Sequence, residues 1–154
     1  MQLQLDSRAK VVAAYLAKCD AHNLPQDYQA DLCRFGTVLI CGNVERSLEI
    51  IILDRLSTKA HPKVLQFIKS HFKRGTNYDC AAISQLLNRF DADWYRRFEI
   101  FVDANADVKE GISSCYAVRN SVAHGGTNSV GLNRLRELFS ASTRLIAGVV
   151  DATR

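Results

Sequence analysis

The chain has 154 residues, of which 47% are hydrophobic, so it can bury one ordinary core, and we expect residues 1–154 to form a single domain. No apolar run approaches the roughly 20 residues that a membrane span needs, so the sequence predicts no membrane-spanning segment. The net charge of +4 permits an anionic partner such as RNA without requiring one.

Cysteine usage bears on the cellular compartment. The chain has five cysteines, an odd number at irregular spacing, and its first residues lack the basic start and apolar run of a secretion signal. Both features predict a reducing, cytoplasmic location. Cys19 and His22 have a ligand-like spacing but lack the second pair that a structural zinc site needs, so we expect neither a metal nor a cofactor.

Helical patterns dominate the chain. Only two prolines and eight glycines interrupt it, which favours long helices over many short strands. Asp79 and Asp91 are placed to cap the helices that follow them. The predicted helices span residues 7–21, 26–58, 61–72, 79–89, 91–102, 106–123 and 128–152. This order predicts an all-α, up-and-down bundle of about six to seven helices.

The first three of these helices carry specific expectations. Gly36 and Gly42 lie inside the second helix, where glycine costs up to about 1 kcal/mol relative to alanine, so they predict close approach by a neighbouring helix or a second subunit. Apolar spacing also predicts that Val11 and Phe35 belong to buried helix faces. In the third helix, the apolar residues expected to point inward are Val64, Leu65, Phe67, Ile68 and Phe72.

The sequence RNSVAHGG at residues 119–126 is the main candidate for a functional site. Arg119 offers a permanently charged fork of donors that fits a phosphate, and His124 can exchange a proton near neutral pH. Asn120 shares a helix face with His124, and Gly125 lets the chain leave the helix directly afterwards. The alternative is an ordinary helix C-terminus, because basic residues followed by glycine are also typical of a cap.

Two further segments carry a resemblance together with this one. Residues 41–47, CGNVERS, place a glycine three residues before Glu45, and residues 90–94 read FDADW. In type and order, the three segments resemble the RiboL-PSP-HEPN branch of the HEPN superfamily, over about residues 30–126. The resemblance implies a small all-α domain. It also implies RNA cleavage, because several branches are metal-independent ribonucleases.

The resemblance further implies partners. A homodimer would bring two copies of the site together across a two-fold axis into one composite cleft. An antitoxin or other regulatory protein would restrain the activity. In relatives with a regulatory tyrosine, that residue lies two positions after the histidine and is modified by a nucleotidyltransferase antitoxin. Gly126 stands there in this chain, which departs from that pattern.

Side-chain chemistry agrees with these implied roles. RNA supplies its own nucleophile, the 2′-hydroxyl, so the products would be a 2′,3′-cyclic phosphate and a 5′-hydroxyl. We expect Arg119 to clamp the non-bridging phosphate oxygens and His124 to act as general base or acid. Asn120 would be a donor that orients the phosphate or the histidine.

Glu45 is the matching acid of the second helix. We expect it to hold Arg119 or His124 in place. Its alternative role is a helix-surface ion pair with Arg46 or Arg55.

A basic cluster precedes Gly75. Lys69, Lys73 and Arg74 are weaker candidates for contacts with an RNA backbone. The alternative is a solvated helix end.

Two functions of different class follow. The first is a metal-independent endoribonuclease that acts as a toxin or defence effector on cellular or invading RNA. The second is a non-catalytic helical dimer that binds RNA, a nucleotide or a protein, because fold does not determine function. The chain has no Gly-rich phosphate loop, no H-E-x-x-H and no G-x-S-x-G sequence, which argues against an NTPase, a zinc peptidase and an α/β hydrolase.

Overall fold

Helices make up most of the chain. The computed structural model describes residues 1–20, 24–72, 76–126, 128 and 130–154, and no strand occurs in those ranges. The helices are α1 (Gln2–Cys19), α2 (Gln26–Leu56), α3 (Pro62–His71), α4 (Cys80–Phe90), α5 (Ala92–Ala104), α6 (Ala106–Ala123) and α7 (Leu132–Ala152). Within the described ranges, none of them is long and apolar enough to cross a bilayer. The prediction of an all-α fold with six to seven helices is confirmed.

The core forms around α2. This helix contacts α1, α3, α6 and α7, and α7 in turn contacts α1, α5 and α6. Ile40, Val44, Leu48 and Ile51 of α2 are almost completely buried, and so is Leu145 of α7. Because α2 has neighbours on more than one side, it buries far more than a single apolar stripe.

Asp79 and Asp91 cap the N-termini of α4 and α5, as the sequence predicts. Asp79 Oδ1 accepts a hydrogen bond from the backbone N–H of Ala82 at 2.8 Å. Asp91 Oδ1 accepts from the N–H groups of Asp93 at 2.7 Å and Trp94 at 3.2 Å. Such caps satisfy N–H groups that have no partner inside the helix.

Two helix starts differ from the prediction. Helix α1 begins five residues early, because the amino group of Met1 pairs with Asp54 at 3.4 Å and Leu5 is buried in the core. Helix α7 begins four residues late, because the buried Val130 and the extended Gly131 (φ −76°, ψ 161°) precede it. Both differences come from tertiary contacts. The predicted end of the first helix at residue 21 lies outside the described residues.

Several residues expected in the core are exposed, so that prediction is wrong for them. Phe67 of α3 is 64% exposed and Val64 is 47% exposed, while Val11 and Phe35 are also exposed. For Phe67 and Val64 the reason is that α3 packs on α2 alone among the described helices, so only a narrow stripe of α3 is covered. The partly buried residues of that stripe are Leu65, Ile68 and Phe72.

The five cysteines are all free and buried. Burial raises the pKa of the Cys33 and Cys80 thiols to about 11. These two thiols are therefore neutral at physiological pH and poor nucleophiles.

The two glycines inside α2 have different surroundings. A Cβ atom at Gly36 would lie 2.9 Å from Cδ2 of Leu135 in α7 and 3.4 Å from Cε1 of Tyr15 in α1. Gly36 therefore permits the close approach of neighbouring helices, as predicted. A Cβ at Gly42 would have no described atom within 4 Å, so the neighbouring-helix explanation is wrong there.

This contrast predicts opposite effects of alanine at the two positions. Gly42→Ala should raise the free energy of unfolding by about 0.5–1 kcal/mol, because alanine loses less backbone entropy in a helix. Gly36→Ala should not give this gain, because the buried Leu135 must move. Urea unfolding followed by circular dichroism at low protein concentration measures both. A destabilising Gly42→Ala would show that another surface covers this glycine.

Candidate active site

Three candidate residues lie at the end of α6. Arg119 and Asn120 are partly buried in its last turns, and His124 is the exposed residue that ends the helix. The backbone of His124 (φ −103°, ψ 16°) has left the helical conformation. The side chain of His124 therefore need not point in the direction that a regular helix would impose.

The glycines after the helix form the predicted cap. The N–H of Gly126 donates to Ser121 O at 2.7 Å and the N–H of Gly125 donates to Val122 O at 3.2 Å, which is a Schellman motif. Gly125 has a φ of +72°, a region that glycine enters without steric cost. The cap explanation and the site explanation are thus compatible, since the cap is what holds His124 at the surface.

A hydrogen-bonded cluster holds the arginine. Nη1 of Arg119 donates to Oδ1 of Asn77 at 3.1 Å and to Oδ1 of Asn120 at 3.2 Å. Nδ2 of Asn77 also donates to Oδ1 of Asn120, at 3.2 Å. The three side chains therefore fix one another, and the structure brings together the predicted Arg119 and Asn120.

The groups that accept hydrogen bonds from Arg119 determine how much of its positive charge is neutralised. Among the described residues, the side-chain groups that accept hydrogen bonds from Arg119 are neutral amide oxygens. A carboxylate partner would cancel most of the positive potential around the guanidinium, whereas an amide orients the guanidinium without neutralising it. Both of these hydrogen bonds use Nη1, so the contacts among the described residues leave the other donors of the fork to an anion.

Asn77 is a site residue that the sequence reasoning missed. It lies in the short segment between α3 and α4, which reads as an ordinary turn that closes a helix. Its partners are more than forty residues away in the chain, at Arg119 and Asn120. Asp79, two residues after Asn77, caps α4 and is a local signal that fixes where this segment ends.

A second arginine holds the loop after His124. Nη2 of Arg34 in α2 donates to the backbone carbonyl of Gly126. A Cβ atom at Gly126 would lie 3.0 Å from the carbonyl oxygen of Ser121 and would require the hydroxyl of Ser121 to turn away, so this glycine packs closely on the last turn of α6.

Glu45 lies in α2 within electrostatic reach of the cluster. Partial burial raises the pKa of its carboxyl, and the positive charge of Arg119 opposes that rise. The ion pairs considered as an alternative are not formed, because Arg46 pairs with Glu49 and Arg55 donates to Val150 O at 3.0 Å. The positive charge that acts on the carboxyl of Glu45 is therefore that of Arg119.

Neutral buried groups surround Glu45. Burial raises the pKa of the Tyr116 and Tyr78 hydroxyls, and the charge of Glu45 contributes to both shifts. Cys41 lies 3.4 Å from Cys115, sulfur to sulfur, and this contact together with burial raises the pKa of its thiol. The interior side of the site is therefore poorly hydrated, and charge interactions there are stronger than in water.

The predicted basic cluster is described only in part. Lys69 lies on the exposed side of α3. Lys73 and Arg74 lie outside the described residues, as does His22 of the rejected metal motif.

The helical fold agrees with the comparison to known families. The family model described as RiboL-PSP-HEPN matches residues 3–153, which is nearly the whole chain. No curated protein and no solved structure matches the chain. The family match includes all three segments on which the sequence resemblance rests. The chain therefore belongs to the RiboL-PSP-HEPN family.

Proposed function

We propose that this protein is a metal-independent endoribonuclease. Membership in the family is consistent with an RNase-like or nucleotide-binding function. The observation that carries the finer proposal is the guanidinium of Arg119, which neutral amides orient in the last turns of the helix that the exposed His124 ends. An oriented positive charge next to a proton-exchanging group is what cleavage at a phosphodiester requires.

The proposed reaction is an internal transfer within RNA. The 2′-oxygen forms a bond to phosphorus while the bond between phosphorus and the 5′-oxygen breaks. An imidazole of His124 accepts the proton of the 2′-hydroxyl, and a proton is delivered to the departing 5′-oxygen. Arg119 stabilises the charge that develops on the non-bridging oxygens. The products are a 2′,3′-cyclic phosphate and a 5′-hydroxyl.

Asn120 and Glu45 have supporting roles in this proposal. The Oδ1 atom of Asn120 is occupied by Arg119 and Asn77, which leaves its amide N–H groups to orient the phosphate. Glu45 holds Arg119 by charge without a direct salt bridge. Its partial burial strengthens this interaction.

The proposed biological setting is a toxin or defence effector in the cytoplasm, restrained by an antitoxin or another regulatory protein. The five free cysteines are consistent with a reducing compartment. We also propose a homodimer, in which two copies of His124 provide the base and the acid of one composite cleft. Gly42, which has open space beside it, allows close approach of a second copy.

The first test replaces His124 by alanine. Wild-type protein should cleave total and transfer RNA in excess EDTA and leave cyclic phosphate ends. His124→Ala should lower cleavage at least about a hundredfold, because general acid–base catalysis contributes on that scale. The matched control is His61→Asn, which removes a histidine but keeps an acceptor for the first turn of α3.

The outcomes separate the two classes of function. Unchanged cleavage by His124→Ala, with helical content intact, would reject His124 as the general base or acid. RNA binding without any cleavage by the wild type would instead support the non-catalytic binding module.

A second test addresses Asn77, which we propose as a positioning residue that acts through Arg119. Asn77→Ala should lower kcat about tenfold or more with a smaller rise in KM, because a loosened Arg119 loses mainly transition-state contacts. The pH profile should keep its shape, since His124 is untouched. Exposed Asn88 gives the control Asn88→Ala. Equal losses in Asn77→Ala and Asn88→Ala would contradict the assignment.

A third test concerns the dimer. If the cleft is composite, specific activity should fall on dilution in parallel with the dimer mass measured by analytical ultracentrifugation. A monomer whose specific activity does not depend on concentration would rule out the composite site while leaving the roles of Arg119 and His124 open to the first test.

A further inference from the structure

A groove lies between α3 and α4, and Tyr78, the residue after Asn77, forms part of its wall. Its volume is about 200 Å³. Two of the residues that line it are basic, His71 and Arg89, and none is acidic. The remaining wall is apolar and mainly aromatic, and its rings are Phe67, Phe72, Tyr78 and Phe90.

The ring of Phe67 is the exposed part of this wall. Phe67 is 64% exposed, although its helix offers a partly buried stripe on another face. The ring contacts His71 edge to face, with centroids 4.7 Å apart. Lys63 lies one helical turn before Phe67, on the same face of α3. An exposed ring between basic side chains is an arrangement that can stack nucleobases and hold the adjoining phosphates.

Positive charge is concentrated in the same part of the chain. Residues 55–90 contain seven of the twenty Lys and Arg residues and one of the sixteen acidic residues. That acidic residue, Asp79, is used to cap α4. The segment therefore has a net charge of +6, which exceeds the +4 of the whole chain, and the rest of the protein is net negative. A polyanion would be attracted to this segment.

The groove and the candidate active site share one short segment of the chain. Tyr78 lines the groove, while its neighbour Asn77 binds Arg119 and Asn120. Adjacent Cα atoms are about 3.8 Å apart, so a single short segment forms the wall of one site and part of the other. An RNA strand whose phosphate rests on Arg119 would place a neighbouring nucleotide near the groove.

We propose that this groove, the α3/α4 groove, binds a base of the RNA strand next to the scissile phosphate. The base stacks on Phe67, and Arg89 and His71 face the adjoining phosphate. This inference rests on the proposed ribonuclease function and adds a substrate subsite to it. An apolar side chain of an acidic protein partner would also match the charge, but the segment shared with Asn77 favours the strand that occupies the active site.

The test measures binding with and without bases. The probes are a short fluorescein-labelled single-stranded RNA of random sequence and a ribose-phosphate oligomer of the same length without bases. Fluorescence anisotropy is measured in the His124→Ala background so that the RNA stays intact. Adding Phe67→Ala should weaken binding of the base-bearing RNA about tenfold, the scale of one base–aromatic stack, and leave the abasic oligomer unchanged.

Two further variants control for surface changes and charge. Tyr28 is an aromatic residue of α2 that is 67% exposed and does not line the groove, so Tyr28→Ala should change neither affinity. Arg89→Gln should weaken both oligomers and reduce the salt dependence of binding, because it removes a phosphate contact.

Each outcome either supports or overturns the base-binding subsite. Equal losses for both oligomers, or no loss for either, would overturn the base-binding subsite. If RNA is bound and cleaved while Phe67→Ala has no effect, only the subsite is rejected, and the groove is left to a protein partner. If the protein neither binds nor cleaves RNA, the proposed function fails together with the subsite.

Discussion

The rest of the structure depends on the burial of α2 on more than one side. Four helices pack against it, and its buried residues run from Cys33 to Ile52. The same helix also serves the candidate site at two points, since Arg34 holds the loop after His124 and Glu45 lies within electrostatic reach of Arg119. A shift of α2 would therefore disturb the core and the site together, because a close-packed interior transmits displacement.

The electrostatic character of the site follows from what holds Arg119. Two amide oxygens orient the guanidinium, and the charge of Arg119 in turn acts on the partly buried carboxyl of Glu45. Burial raises the pKa of the Tyr116 hydroxyl, and the charge of Glu45 contributes to that rise. A positive charge that is oriented but not neutralised, at the edge of a poorly hydrated interior, is well suited to an anionic substrate.

Much of the fold could be predicted from local patterns, and the failures have a common cause. The bounds of α6 were predicted correctly, and the caps at Asp79 and Asp91 were found because capping depends on neighbours within one turn. The inward orientation of Phe67 was wrong because periodicity reveals an apolar face but not whether another helix covers it. The early start of α1 depends on a pairing of Met1 with Asp54, which no local pattern contains.

The sequence by itself determined the helical class, the glycine cap and the close spacing of Arg119, Asn120 and His124, because these depend on residues within a few positions of one another. Only the tertiary structure decided that Asn77 joins Arg119 and Asn120 and that Arg46 pairs with Glu49 rather than with Glu45. Contacts between residues more than forty positions apart are set by how helices pack, and packing is a property of the whole core rather than of any local spacing.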